Sequence, residues 1–405
     1  MKRLAFTFLF FCVAWRTFAC TSVIVSGKVT TDGRPFIFKN LDATDLDVSI
    51  VVCKGEKFRY TAITNKKNSS VRPDRVSSGF NEKGFAIINT NTHNQNGTRK
   101  DYGNNTKIMR RALEICVTLK DFEYLLDTLP HPLKANTNIG VMDAEGNVAY
   151  YEVSNYKYVK FNVNDPKVAP KGYLVRSNFA VTGNREQDAG VARYKAMESY
   201  MTGSIKKGKI NHEDIIRGAT RYFVHGDTGV NLSEMESNNM RPVYVDFTDF
   251  IPRRQTASAQ LIQGVKKGEN PLHTIGWTIC GSPMTTVCIP IWITPNHRVP
   301  KIMSRNSNKH ASICDAGLKL KKRLFPDDKK RGKSDINIAQ LMNKKGNGIL
   351  QQITPIETEI FRRAKKVQDA VREHENGTQE INQFYTWVDS YVTTEYKKRF
   401  GIVLE

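Results

Sequence analysis

Cys20-Thr-Ser-Val-Ile-Val-Ser-Gly27, continued by Thr31-Asp-Gly-Arg-Pro-Phe-Ile-Phe-Lys-Asn-Leu-Asp42, is the stretch on which the fold turns. Thr21 to Ser26 is rich in β-branched residues and predicts a strand. Asp32-Gly33 is a hairpin turn signal. Phe36-Ile37-Phe38 then resumes an apolar strand. The return strand carries Lys39, Asn40, Leu41 and Asp42 back toward the Cys20 end, with a register that sequence alone leaves open.

What precedes Cys20 gives it its chemistry. Lys2 and Arg3 form a short positive region, Leu4 to Trp15 is an apolar run, and Thr17 and Ala19 place small residues at −3 and −1 of a cut after Ala19. This is the layout of a secretory signal peptide, and the run is short for a membrane span. Arg16, close to the cut, departs from the pattern, and a retained N-terminal anchor is the other reading of residues 1–19. The expectation is an exported protein, periplasmic or secreted, whose mature chain begins at Cys20.

An N-terminal cysteine carries its own base. Its α-amine, with an ordinary pKa of about 7.7–8.0, can take the thiol proton directly or through one water. A nucleophile normally needs a separate base within hydrogen-bond reach; here one residue supplies both, and no Cys/His pairing is required. The competing chemistry is lipidation of Cys20, which would anchor a cationic surface protein without catalysis. The Leu common at −3 of lipoprotein cuts is replaced by Thr17. Across the hairpin, a cation such as Lys39 lowers the pKa of a nearby thiol, and a carboxylate such as Asp42 can orient a protonated amine.

The quoted run resembles the N-terminal-nucleophile hydrolases, nearest to the acyl-CoA:6-aminopenicillanic acid acyltransferase-like group (peptidase C45), with choloylglycine hydrolases as relatives. Further blocks follow in family order. They are Gly79-Phe-Asn-Glu-Lys-Gly-Phe-Ala-Ile-Ile-Asn-Thr-Asn91, Tyr173-Leu-Val-Arg-Ser-Asn178-Phe, Ala192-Arg193-Tyr194 and Gly276-Trp-Thr-Ile-Cys-Gly-Ser-Pro with Ile289-Pro-Ile-Trp292. The resemblance implies an α+β fold, a four-layer αββα sandwich of mainly antiparallel sheets. It also implies cleavage of a linear amide C–N bond, or transfer of its acyl group, from a small-molecule acyl-amide substrate. A bile-salt or N-acyl-lipid amidase is the variant reading on the same site. Carried over by motif, Cys20 is the nucleophile, Lys39 stands where relatives use Arg, and Asp42 contacts the amine. Asn91 donates to the oxyanion, Asn178 orients or stabilises the site, and Arg193 supports the pocket. Lys39 cannot reproduce the two-pronged guanidinium. Phe179 replaces the residue usual after the second Asn. Asn89, two residues from Asn91 and on the same strand face, competes for the oxyanion role.

Composition narrows the alternatives. The 405 residues hold 61 Lys+Arg against 40 Asp+Glu, a formal charge of +21, which becomes +18 without residues 1–19. Such a balance suggests an anionic partner without identifying one. Residues 301–334 concentrate eleven Lys+Arg against three Asp. They read as a solvated face, or as a weak contact for an anionic surface, away from the site motifs. With Phe325 as their sole aromatic residue, a stacking nucleic-acid groove is unsupported. There is no Cys-x-x-Cys and no His-x-x-x-His, so no metal or cofactor is expected. Beyond Cys20 the mature chain keeps five cysteines, an odd number that leaves at least one outside any internal disulfide.

The expected organisation is a signal peptide at 1–19, a catalytic domain at 20–300, and a basic segment with C-terminal helices at 301–405 packed on the same domain. Helices are predicted over 107–119, 121–129, 187–201 and 212–223, and a hairpin over 140–153 in which Glu152 is a structural or surface carboxylate. Thr354-Pro-Ile-Glu357 reads as a capping box with Pro at the first helical position, opening a long amphipathic helix.

Overall fold

The computed structural model describes residues 20–65, 73–95, 103–235, 242–305, 310–326, 332, 334–373 and 377–405. The predicted signal peptide and its cut lie outside the described residues, as does part of the basic segment.

In chain order the strands and helices are β1 (Thr21–Val25), β2 (Phe36–Asp42), β3 (Val48–Lys54), β4 (Arg59–Asn65), β5 (Ser78–Asn81), β6 (Ala86–Asn91), α1 (Asn105–Ile115), α2 (Leu119–Thr128), β7 (Thr137–Met142), β8 (Val148–Val153), β9 (Tyr158–Asn162), β10 (Tyr173–Arg176) and α3 (Val191–Lys207). There follow β11 (Tyr244–Asp246), β12 (Thr256–Gln263), β13 (Ile275–Ile279), β14 (Cys288–Ile291), α4 (Ser312–Leu324), β15 (Asp335–Asn337), α5 (Ile338–Leu341), α6 (Ile349–Glu373) and α7 (Thr378–Phe400). Strands β3 to β9 form a seven-stranded meander, and a six-stranded sheet runs β10-β1-β2-β12-β13-β14. Every pairing within the two sheets is antiparallel.

Alternation along the strands sorts their side chains into layers. In β1, Val23 and Val25 join a core shared with the helices, while Ile24 packs between the sheets; in β2, Phe36 and Phe38 do the former and Ile37 the latter. Tyr151 and Val153 of β8 pack against α1 and α2 residues such as Met109 and Phe122, while Val148 and Tyr150 face the other sheet. Because both faces of both sheets are covered, the strands are buried nearly throughout, and the result is the expected αββα sandwich. Side chains of α4, α6 and α7, including Leu320, Ile360 and Tyr385, share one core with Val23, Phe38 and Trp277.

Several boundaries differ from the sequence reading. Thr118 caps α2 through Asp121 in a reciprocal box, which breaks the predicted 107–119 helix before Leu119. The predicted helix over 187–201 begins at Val191, after Gly190 at φ 74°, and runs on to Lys207. Over 212–223 the chain forms a π turn at Asp214–Gly218 and a 3₁₀ turn at Ala219–Arg221 in place of a regular helix. Thr354 does not open α6. The helix starts at Ile349, Pro355 lies inside it, and the Thr354 hydroxyl donates back to Leu350 O. Buried Ile349, Leu350 and Ile353 contribute about 1.5–3 kcal/mol each, against roughly 3 kcal/mol for an interior proline.

His212 is a packing residue: its ring stacks on Trp277 with centroids 4.0 Å apart. Burial pushes its imidazole pKa down to about 4. An unfolded histidine titrates near 6.5, so the neutral ring supports the fold fully above that pH. The support is lost as pH falls from about 6.5 toward 4, because the unfolded chain binds the proton first. His212→Phe is therefore expected to flatten the stability–pH curve across this window in denaturant titrations. An unchanged slope would exclude His212 as its source.

Candidate active site

The β1–β2 pairing sets Thr21 opposite Asn40 and Ser22 opposite Lys39, so Cys20 sits beside the end of β2. Residues 26–35 join the strands, a longer link than a two-residue turn. Gly33 takes φ 74°, and Arg34 N donates to Asp32 Oδ1. Cys20 is 5% exposed. Burial pushes its thiol pKa up. Lys39, the Asp42 backbone N–H that faces the sulfur, and Arg193 pull it down, while the Asp42 carboxylate pushes it up.

Asn178 holds the nitrogen of Cys20. The Cys20 N–H donates to Asn178 Oδ1 at 3.0 Å, Arg193 Nη2 donates to the same oxygen at 2.9 Å, and Asn178 Nδ2 donates to Asn91 O at 2.8 Å. In the uncut chain this nitrogen is a peptide N–H; after a cut at Ala19 it would be the α-amine. Arg193 also donates through Nη1 to Cys20 O (2.7 Å) and Thr21 Oγ1 (3.1 Å). Phe179 leaves this clamp in place: its ring packs on Tyr194, and its carbonyl accepts from Asn138.

The two competing asparagines are distinct in their hydrogen bonding. Asn89 Oδ1 accepts from Lys39 Nζ at 2.8 Å, and its Nδ2 donates to Asn91 Oδ1 and Thr137 Oγ1. Asn91 Oδ1 accepts from both Asn89 and Asn105. With its oxygen claimed twice, the Asn91 amide is oriented with Nδ2 as the donor left over among the described residues. Lys39 Nζ also donates to Ser77 O at 3.0 Å. Burial pushes its pKa down, while Cys20 and Asp42 hold it up.

The structure thus gathers Cys20, Lys39, Asp42, Asn91, Asn178 and Arg193 around one point at the strand ends. It adds groups that no motif flagged. The Thr256 hydroxyl donates to Asp42 Oδ1 at 2.6 Å, Arg253 lies 3.7 Å from Asp42 Oδ2, and Asp249 lies 3.7 Å from Arg193 Nε and 3.6 Å from Arg253. Burial pushes the Asp42 carboxyl pKa up, opposed by Arg253, Arg193, Thr256 and Lys321. Thr256 reaches Asp42 because β12 pairs with β2 across more than two hundred residues of chain, a neighbour relation no local pattern carries. Lys321 corrects the reading of residues 301–334 as lying away from the site: it is 5% exposed, donates to Thr256 O at 2.9 Å and acts on Asp42 by its charge. Glu152 is structural: it accepts from Arg176 and from the N–H groups of Val181 and Thr182. Among the described residues no cluster suited to a metal ion occurs, and the six cysteines among them are buried thiols in no disulfide.

A cysteine at the head of β1 in an αββα sandwich, its nitrogen held by an asparagine, is the arrangement that the resemblance to N-terminal-nucleophile hydrolases implied. Residues 29–217 match the family model of acyl-coenzyme A:6-aminopenicillanic acid acyl-transferase. Similar solved structures include an N-acylethanolamine-hydrolyzing acid amidase ortholog of Caenorhabditis elegans, at 15% identity over 49% of this chain and 84% of that one, TM-score 0.36. A mutant of conjugated bile acid hydrolase from Clostridium perfringens matches at 14% identity over 68% and 92%, TM-score 0.40. Penicillin V acylase from Agrobacterium tumefaciens matches at 12% over 68% and 86%, TM-score 0.39. No curated protein matches the sequence.

Proposed function

We propose that the protein is an exported N-terminal-cysteine amidase or acyltransferase, active once residues 1–19 are removed. The observation that carries this reading is the bond from Cys20 N to Asn178 Oδ1, which fixes the nitrogen that would serve as base. The freed α-amine takes the thiol proton, and the sulfur attacks the carbonyl carbon of a linear amide. The C–N bond breaks as the amine leaving group takes that proton, leaving a thioester on Cys20. Water or a second amine then attacks the thioester, returning the proton to sulfur. Asp42 and Asn178 orient the α-amine, Lys39 and Arg193 favour the thiolate, and the Asn91 amide donates to the oxyanion. Intact-mass analysis of the exported protein tests this directly: a free Cys20 terminus that gains an acyl mass from an acyl-amide panel supports it. A chain starting elsewhere, or carrying diacylglycerol, would sink it.

Asn91→Ala is expected to lower kcat by about 10²–10³ with a small effect on KM, the size reported by loss of one oxyanion donor. Steady-state kinetics of Asn91→Ala beside Asn89→Ala decide the assignment. A kcat that survives the first change and collapses in the second would transfer the role to Asn89.

A further inference from the structure

On α4, Gly317, Leu320, Lys321 and Leu324 fall at helical spacing on one buried face, while Lys319, Lys322 and Arg323 are exposed. Lysine in an apolar stripe is costly, because an ammonium taken out of water loses its solvation, a loss that only pairing and hydrogen bonds offset. A leucine or methionine would fill the same position more cheaply if packing were its whole purpose. Lys321 Nζ instead donates to Thr256 O at 2.9 Å, and the hydroxyl of that same Thr256 donates to Asp42 Oδ1 at 2.6 Å. The cation lies beyond residues 29–217, the span of the family match.

We propose that Lys321 is a positioning residue for the proposed active site, acting through Thr256 and by its charge to hold Asp42 as an oriented carboxylate. The C-terminal helical region is thereby part of the site's electrostatics as well as its scaffold. The groups facing Lys321 are Asp42 on β2, Arg254 ahead of β12 and Cys314 on its own helix; those facing Asp42 are Cys20, Lys39, Arg193, Arg253 and Lys321. Burial brings the Lys321 ammonium down to about 7, with the Asp42 carboxylate opposing that fall. Loss of the cation removes one of the influences that keep the Asp42 carboxyl ionised, so Asp42 protonates at higher pH.

The catalytic part of this role rests on the reading of Cys20 as nucleophile; the coupling of the two charges does not, and the experiment separates them. In full-length mature protein with ¹³C-labelled aspartate and lysine, Lys321→Gln keeps a donor for Thr256 O and loses the charge. The Asp42 Cγ titration is expected to move up by at least about half a pH unit, and Lys321→Arg to restore it. Asp42→Asn, close in shape, supplies the reciprocal measurement: the Lys321 Cε titration moves down. An Asp42 titration unmoved in Lys321→Gln, or a Lys321 titration unmoved in Asp42→Asn, overturns the proposal. If the amidase reading holds as well, the acid limb of kcat/KM moves up in Lys321→Gln, a change that a merely structural lysine would not produce. Coupled titrations in a protein whose Cys20 is inert would leave the charge coupling standing and remove the amidase reading alone.

Discussion

Cys20→Ala is expected to abolish amide turnover, by about 10⁴-fold or more, while leaving the fold intact. Residues that act as one unit fail together when the nucleophile is removed, and here the unit is unusually compact. In the proposed mechanism the attacking sulfur and its base belong to one residue, so no second side chain can partly substitute. The cost to stability is small by comparison, because Cys20 contributes a short side chain at the head of β1, while its backbone contacts to Asn178 and Arg193 remain. Cys20→Ser sharpens the test. It keeps a nucleophile, an α-amine and every backbone contact, yet replaces a thiol by a hydroxyl that ionises far less readily. A large kcat loss with unchanged substrate binding is expected. Rates are compared with thermal unfolding of each variant, on protein whose terminus has been verified by mass. Full activity in Cys20→Ala would remove the proposed mechanism entirely.

How much of this was legible beforehand follows from the range of each interaction. The β1–β2 hairpin is local, and its β-branched and aromatic runs announced both strands. Asn91 and Asn178 were reachable because they lie in blocks whose order resembles a known family. Asp42 was reachable for the same reason, but its partners were not. Thr256 and Arg253 meet it through a β2–β12 pairing, and Lys321 through the docking of α4 on that sheet; both relations appear only when distant segments pack. Composition was misleading at Lys321, since a run dense in lysine is a solvated face on average, and an average hides one buried member. The apolar neighbours at Gly317, Leu320 and Leu324 were the signal available. Thr354-Pro-Ile-Glu357 failed for a related reason. The motif is local and sound, but the apolar residues before it extend the helix, and tertiary burial outweighs the start signal.

That same failure hid the pair with the largest expected effect on stability. Glu357, read as a capping carboxylate, is fully buried and meets Arg221 in a two-pronged pair with both contacts at 2.7 Å. Arg221 Nε further donates to Pro283 O, and the Cys288 N–H donates to Glu357 Oε1. Burial pulls the guanidinium pKa down, and Glu357 more than offsets it, so the arginine stays charged. The pair therefore ties α6 to the turn at Ala219–Arg221 and to β14. Glu357→Ala leaves a buried guanidinium without its counter-charge and is expected to destabilise the protein by about 3–5 kcal/mol, read from denaturant unfolding. Arg221→Met combined with Glu357→Leu should recover most of that loss, because taking both charges out of water offsets much of what their attraction returns. The two results together distinguish a buried pair from a surface one, for which Glu357→Ala would change stability by about 0.5 kcal/mol or less. A loss of that small size would mean that α6 is held by its apolar stripe of Ile353, Ile356, Ile360 and Ala364 alone, and that the charges at 221 and 357 contribute nothing to fastening the C-terminal helices onto the sandwich.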